Sequence, residues 1–361
     1  MAGEYPTTAS LLGLAVGDAF GSSILLPGDH PSIRDRELPS APWSWSDDTE
    51  MACSIYEILG RHGEIDQDAL AASFAVRFDA GRGYGSGAER MLLRYQAGES
   101  WRDVAPSVFG GGSWGNGGAM RVAPLGAWFC TDLNQVVAEA EKSAVVTHAH
   151  PEGVAGTIAV AVAAALTAAW PALTPLQLLE TVASWVPSSD VRRRIEAAIP
   201  LSPSTPIREA AALLGTGREV SAVDTVPLAL WIAAYHLDSY VDALWTAAEV
   251  AEDLDTVCAI VGGVIAARTG SAGIPPEWRA ACEPLPSWLP AIGSPAPDPT
   301  APQVFVYKGW EFHHPPEGVW SGGMTLVSGA TSCTLPNWMD LDEAVRHAEA
   351  ARRGRRPRPR W

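Results

Sequence analysis

Two short acidic segments hold the side chains best suited to chemistry: Trp45-Ser46-Asp47-Asp48-Thr49-Glu50 and Glu252-Asp253-Leu254-Asp255-Thr256. Each offers two aspartates one or two residues apart beside a hydroxyl residue. Each also stands directly ahead of an apolar stretch with helical period. Met51, Ile55, Ile58 and Leu59 follow the first; Val257, Ile260, Val261, Val264 and Ile265 follow the second. Taken alone, either segment reads as a helix cap, its oxygens satisfying free N–H groups at the positive end of the helix dipole. Taken together they imply more. Packing two such helices side by side would gather several carboxylates in a poorly solvated place, which unpaired costs several kcal/mol. Hard divalent cations would remove that cost. An oxygen-only donor set suits magnesium or manganese, with calcium as a further option. Two ions roughly 3.5–4 Å apart can clamp a substrate oxygen and polarise a water.

Three other segments carry possible ligand contacts. Glycine is dense in Gly110-Gly111-Gly112-Ser113-Trp114-Gly115-Asn116-Gly117-Gly118-Ala119-Met120-Arg121, which lets backbone N–H groups approach a phosphate. It does not match GxxxxGK[ST], so it is no P-loop, and a merely flexible loop has the same composition. A shorter loop, Arg82-Gly83-Tyr84-Gly85-Ser86-Gly87, precedes a helix; Tyr84 could stack on a base, cap a pocket, or be an ordinary turn tyrosine. In Thr147-His148-Ala149-His150-Pro151, one histidine could touch a ligand or simply bond a helix end, and no third His or Cys stands near to make a metal set. Gly17-Asp18-Ala19 could bring one more carboxylate to the metals, or form a turn. His313-His314 reads as surface.

Composition narrows the partners. The 361 residues carry a formal net charge of −16 with 47% hydrophobic and 18% charged residues, enough for one large core or a core with an appendage. Six arginines fall within the last ten residues, so without them the rest of the chain goes from −16 to −22. Such a body repels nucleic-acid backbone and anionic lipid. Five scattered cysteines show no disulfide or zinc spacing, and the N-terminus has no basic region ahead of its apolar stretch. A reduced, cytoplasmic protein is the expectation. The longest uncharged apolar run, Val154–Trp170, is alanine-rich, short for a bilayer and without basic flanks, so it reads as a buried helix.

The elements that must position these residues are helical up to about residue 292. Helical pattern covers Leu11–Phe20, Ala88–Tyr95, Leu133–Val146, Val154–Ala169, Leu176–Val186, Asp190–Ala198 and Asp224–Tyr235, besides the two acidic-capped helices. Strands and helices do not alternate, so a doubly wound sheet is disfavoured. The expected organisation is an all-α domain over residues 1–293 and a proline-rich linker over 294–302. A small α+β appendage over 303–350 and a basic disordered tail over 351–361 follow. Within the appendage, Val304–Tyr307 and Met324–Val327 read as strands, Pro315–Gly323 as a turn-rich connection and Leu341–Arg352 as a helix.

In order and rough spacing over about residues 8–280, these segments resemble the ADP-ribosylglycohydrolase family, the group that includes the dinitrogenase reductase-activating glycohydrolase. The likeness rests on Gly13-Leu14-Ala15-Val16-Gly17-Asp18-Ala19-Phe20-Gly21, Ser46-Asp47-Asp48-Thr49, Gly115-Asn116-Gly117-Gly118-Ala119-Met120-Arg121-Val122, Thr147-His148 and Asp253-Leu254-Asp255-Thr256. The Arg82-Gly83-Tyr84-Gly85 and Gly112-Ser113-Trp114 loops look most like the branch that removes ADP-ribose from serine. The resemblance implies an orthogonal all-α fold with two magnesium ions in a central cleft, manganese being an alternative. It implies Ser46, Asp47, Asp48, Asp253, Asp255 and Thr256 as metal ligands, with Asp47, Asp48 and Asp255 as the catalytic carboxylates. Substrate contacts would come from Tyr84, Gly85, Gly112, Ser113, Trp114, Gly115, Asn116 and His148. The implied reaction is hydrolysis at the anomeric carbon of an ADP-ribosyl group, releasing ADP-ribose through an oxocarbenium-like transition state.

Three departures stand out. Ser46 replaces a usual threonine but keeps the hydroxyl, and Glu252 and Leu254 change the surroundings of the second acidic motif. The serine-directed branch also has a glutamate shortly after Gly-Asp-Ala, whereas Ser22-Ser23-Ile24-Leu25-Leu26 has no acid and the next carboxylate is Asp29. Asp47, Asp48 or Asp29 would then have to serve as base. Two other readings share the same motifs: a non-catalytic ADP-ribose-binding relative and a two-metal nucleotide phosphohydrolase.

Overall fold

The computed structural model describes residues 4–25 and 31–289, together with 303–307, 310–314, 324–328, 331–335 and 341–353. Asp29, the 294–302 linker, the Pro315–Gly323 connection and the tail beyond 353 lie outside the described residues, as do the side chains of His313 and His314. The order begins with α1 (Pro6–Leu25), α2 (Asp47–His62), α3 (Gln67–Arg77), α4 (Ser86–Gln96), α5 (Trp101–Ser107), α6 (Ala123–Trp128), α7 (Leu133–Val145) and α8 (Pro151–Ala169). It continues with α9 (Pro175–Trp185), α10 (Asp190–Ala198), α11 (Ile207–Leu214), α12 (Ala222–Tyr235), α13 (Tyr240–Ala248), α14 (Leu254–Thr269) and α15 (Pro276–Ala281). The body is all-α, as its periodicity implies. Four strands follow, β1 (Gln303–Tyr307), β2 (Trp310–His314), β3 (Met324–Ser328) and β4 (Thr331–Leu335), in an antiparallel meander of order β1-β2-β3-β4. Helix α16 (Leu341–Arg352) closes the order. Sequence pattern finds β1, β3 and α16 and misses β2 and β4.

The close pairing of α1 with α14 does most to build the site. Gly13, Gly17 and Gly21 recur every four residues along α1 and form one stripe. A β-carbon at Gly17 would overlap the Cys258 carbonyl, and one at Gly21 would lie 2.7 Å from Leu254 O. The two helix backbones therefore touch, which only glycine allows. This contact sets the start of α14, with its acidic residues, against the middle of α1. The Tyr240 hydroxyl locks the pair from the side by donating to Gly13 O at 2.6 Å.

The segment leading into α2 is pinned separately. Trp43 N donates to Ala281 O and Glu283 N donates to Trp43 O, both at 2.8 Å. Phe20 of α1 stacks on Trp278 with centroids 4.6 Å apart and meets Trp245 edge-on at 5.0 Å. An aromatic plug thus ties α1, α13 and α15 to the chain just ahead of Ser46. Helices α1 and α8 are long and apolar enough to cross a membrane, yet 78% of each apolar window is buried inside the protein. Both are core helices here, as the alanine-rich pattern of Val154–Trp170 suggests.

Candidate metal centre and ligand cavity

Both acidic motifs fall at helix starts. Ser46 is the N-cap of α2, its Oγ accepting from Asp48 N at 3.3 Å and donating to Asp48 Oδ2 at 2.8 Å. Asp253 is the N-cap of α14 but makes no capping bond to the helix. Its Oδ2 instead accepts from Asn116 Nδ2 at 2.6 Å, and Asn116 also reaches Thr225 Oγ1 at 3.0 Å. The Asp253 carboxylate is thus held by Asn116 rather than by the N–H groups of the helix start.

A third element joins them. Asp18, the only charged residue of α1, is fully buried. Its Oδ2 accepts from Ser46 N (2.9 Å), Thr49 N (3.1 Å) and Thr49 Oγ1 (2.5 Å). Asp18 so anchors the first turn of α2. One oxygen from each of Asp18, Asp48 and Asp255 lies within 4.8 Å of the other two.

The electrostatics mark a centre short of positive charge. Burial, and then repulsion by Asp255, push Asp18 up to about 6 despite its donors. Burial and Asp255 raise Asp253 to about 7. Asp47 and Asp48 are raised well above the carboxylate range by burial, then by Asp18 and Asp255. Among the described residues, the buried Asp48 Oδ1 has no hydrogen-bond partner. Several crowded carboxylates with an orphaned oxygen and an all-oxygen donor set fit a hard divalent ion. The site fits the cofactor that the sequence implies.

Asp47, Asp48, Asp253, Asp255 and Thr256 line one cavity of about 530 Å³. Among the sequence-implied substrate contacts, Gly85, Ser113, Trp114, Gly115, Asn116 and His148 line it too. The structure thus gathers residues more than 200 positions apart around one space. Three expected site residues are not among the cavity lining. Ser46, expected as a metal ligand, sits beside the acidic cluster with its hydroxyl on Asp48. Gly112 (φ 92°) packs on the Ala149–His150 backbone, where a β-carbon would lie 2.6 Å from His150 N. Tyr84 turns away: its hydroxyl donates to Glu50 Oε2 at 2.6 Å and its ring meets Phe78 edge-on at 4.9 Å. A loop position fixes no side-chain direction, and the buried Glu50 carboxylate supplies the phenol's partner.

The histidine pair divides its work. His150 caps α8, accepting from Glu152 N at 3.1 Å through Nδ1, while His148 lines the cavity. Burial and the nearby Arg121 charge lower His148 to about 3, so it is a neutral imidazole. Sequence reasoning did not find the apolar wall of Met51, Met91, Leu92 and Met120, nor Phe109 and Val220 at the exposed part of the lining. Apolar residues carry no chemical signature. Phe109 (φ 51°) and Val220 (φ 50°) hold left-handed backbone, which no residue type signals in sequence. Asp18, which the sequence leaves open as either one more carboxylate near the metals or a turn residue, lies in the acidic cluster.

The all-α body thus sets two acidic helix starts beside a glycine-walled cavity, a donor set suited to a divalent cation next to an anionic ligand. The ADP-ribosylglycohydrolase family model matches residues 7–301, and the chain belongs to that family. It is 29% identical over 293 residues to ADP-ribosylarginine hydrolase Tri1 of Pseudomonas putida, covering 74% of this chain and 72% of that one. It is 26% identical to ADP-ribosylhydrolase ARH3 of Danio rerio, covering 76% and 84%. In fold it matches a solved ADP-ribosylglycohydrolase-related protein complex with TM-score 0.55 at 23% identity, over 77% of this chain and 92% of that one. The protein is accordingly an enzyme, a glycosidic-bond hydrolase acting on ADP-ribosyl groups.

Proposed function

We propose that the protein is a magnesium-dependent hydrolase of ADP-ribose attached to a protein side chain or a small acceptor, cutting at the anomeric carbon of the ribose. The observation that carries this reading is the convergence of α2 and α14 carboxylates on one cavity that the glycine loop also lines, with Asp18 of α1 buried behind them within 4.8 Å of Asp48 and Asp255. Asp48, Asp255 and Asp18 would hold divalent ions with Asp47, Asp253 and Thr256, and Ser46 would orient Asp48. When bound, such ions orient ribose hydroxyls and lower the pKa of water. The chain's own groups supply the rest. Gly115 and Gly117 present loop backbone without side chains, so diphosphate oxygens can approach it. Trp114 and Phe109, exposed aromatic rings 5.3 Å apart on the cavity lining, offer a face to a purine. With no acid in residues 22–26, Asp47 and Asp48, the α2 carboxylates on the cavity lining, are the groups placed to take the water proton.

The test is direct. Incubated with peptides ADP-ribosylated on serine or on arginine, the protein should release free ADP-ribose with magnesium and not after EDTA treatment. Release unaffected by chelation would refute the metal part of the reading. The preferred peptide identifies the acceptor. Binding of ADP-ribose without release from any conjugate would mark a binding protein instead.

A further inference from the structure

We propose that Arg121 and Thr147 are positioning residues that hold His148 as its Nε2–H tautomer, so that the ring edge facing the cavity is a hydrogen-bond donor. Arg121 is fully buried and, among the described residues, forms no salt bridge, although the Asp47 charge acts on it. Its guanidinium lies 4.5 Å over the Phe74 ring, and Nη2 donates to Ser143 O at 3.0 Å and to Thr147 Oγ1 at 2.8 Å. A guanidinium can only donate, so the Thr147 oxygen must accept from it. The single Thr147 proton is then free to go to the other neighbour, His148 Nδ1, at 2.8 Å. An Nδ1 that accepts leaves the proton of a neutral imidazole on Nε2. Burial lowers Arg121 only to about 10, so it remains a cation at neutral pH, and its charge helps keep His148 neutral.

The far edge of the ring is kept bare by the loop against it. A β-carbon at Gly117 would lie 2.7 Å from His148 Cε1 and 2.9 Å from Nε2, and one at Gly115 would lie 3.3 Å from Nε2. Among the described residues Nε2 has no hydrogen-bond partner. The arrangement therefore places one donor, aimed by a relay of two buried groups, in a cavity otherwise rich in acceptors. A donor there suits a ligand whose polar atoms are mostly acceptors, as the phosphates and ring oxygens of ADP-ribose are; this last step rests on the function proposed above. A histidine free to take either tautomer would present an acceptor part of the time and repel the same oxygens.

Long-range proton–nitrogen spectra of the 15N-labelled protein, with His148→Gln to assign the signal, read the tautomer directly. Wild type should show protonated Nε2 and bare Nδ1. Thr147→Val should show a protonated Nδ1 population, and its ADP-ribose affinity in magnesium should fall about tenfold, the scale of one lost or reversed hydrogen bond. Thr147→Ser, which restores the hydroxyl, should restore the Nε2–H signal. A wild-type spectrum with protonated Nδ1, or a Thr147→Val spectrum unchanged from wild type, would overturn the relay. If wild type failed to bind ADP-ribose at all, the proposed function would fall, while the spectra would still decide the relay.

Discussion

Asp18 receives three hydrogen bonds on one buried oxygen, all from the start of α2. Its removal should cost stability as well as function. Asp18→Ala leaves two N–H groups and a hydroxyl without their acceptor and is expected to destabilise the fold by about 2–3 kcal/mol at pH 5 and by less at pH 7.5, where it also relieves carboxylate repulsion, read from urea unfolding. The acidic centre should also give stability an unusual pH dependence. Asp18 and Asp253 bind protons more tightly folded, at about 6 and about 7, than the ordinary 3.8. The folded state thus holds more protons than the unfolded one across that window. The stabilising protonation is complete below about pH 4 and is lost as pH rises through 6 and 7. Melting temperature of the metal-free protein should fall between pH 5 and 7.5, and saturating magnesium should raise it more at 7.5 than at 5. A metal effect independent of pH would mean these carboxylates are not the ones that bind it.

At the scale of elements, the glycine stripe of α1 determines how near Asp18 comes to Asp255. In an isolated helix Gly→Ala stabilises by up to about 1 kcal/mol. Gly17→Ala should do the opposite here, because the new methyl meets the Cys258 carbonyl. A loss of about 1–3 kcal/mol is expected, together with weaker magnesium binding, though Gly17 touches no ligand. An alanine variant as stable as wild type would show that the two backbones do not touch. The same elements show what could be read ahead of structure. The starts of α2 and α14 were legible because an acidic cluster abruptly meets a helical period. Helices α5 and α6 were not, since Pro106 interrupts one and both are only six or seven residues long. The direction of Tyr84 was closed to sequence reasoning because it depends on the distant Glu50. The Arg121 relay was hidden inside a motif read for its glycines.

On the scale of the whole molecule, the body leaves little reactive surface. Cys53, Cys130, Cys258 and Cys282 are all buried, and burial pushes the thiols up, Cys130 to about 11 and Cys282 to about 12. All four should resist thiol reagents at pH 8 in the native protein and react only on unfolding; rapid labelling of any of them would expose an error in the packing. The proposed function depends on the cavity at which the chain brings Asp47, Asp48, Asp253 and Asp255 together, with Asp18 buried behind them. Calorimetric titration of the metal-free protein with magnesium tests this most directly. Heat of binding in wild type and none in Asp255→Ala is the expected result; no uptake by wild type, or unchanged affinity in Asp255→Ala, would contradict the account.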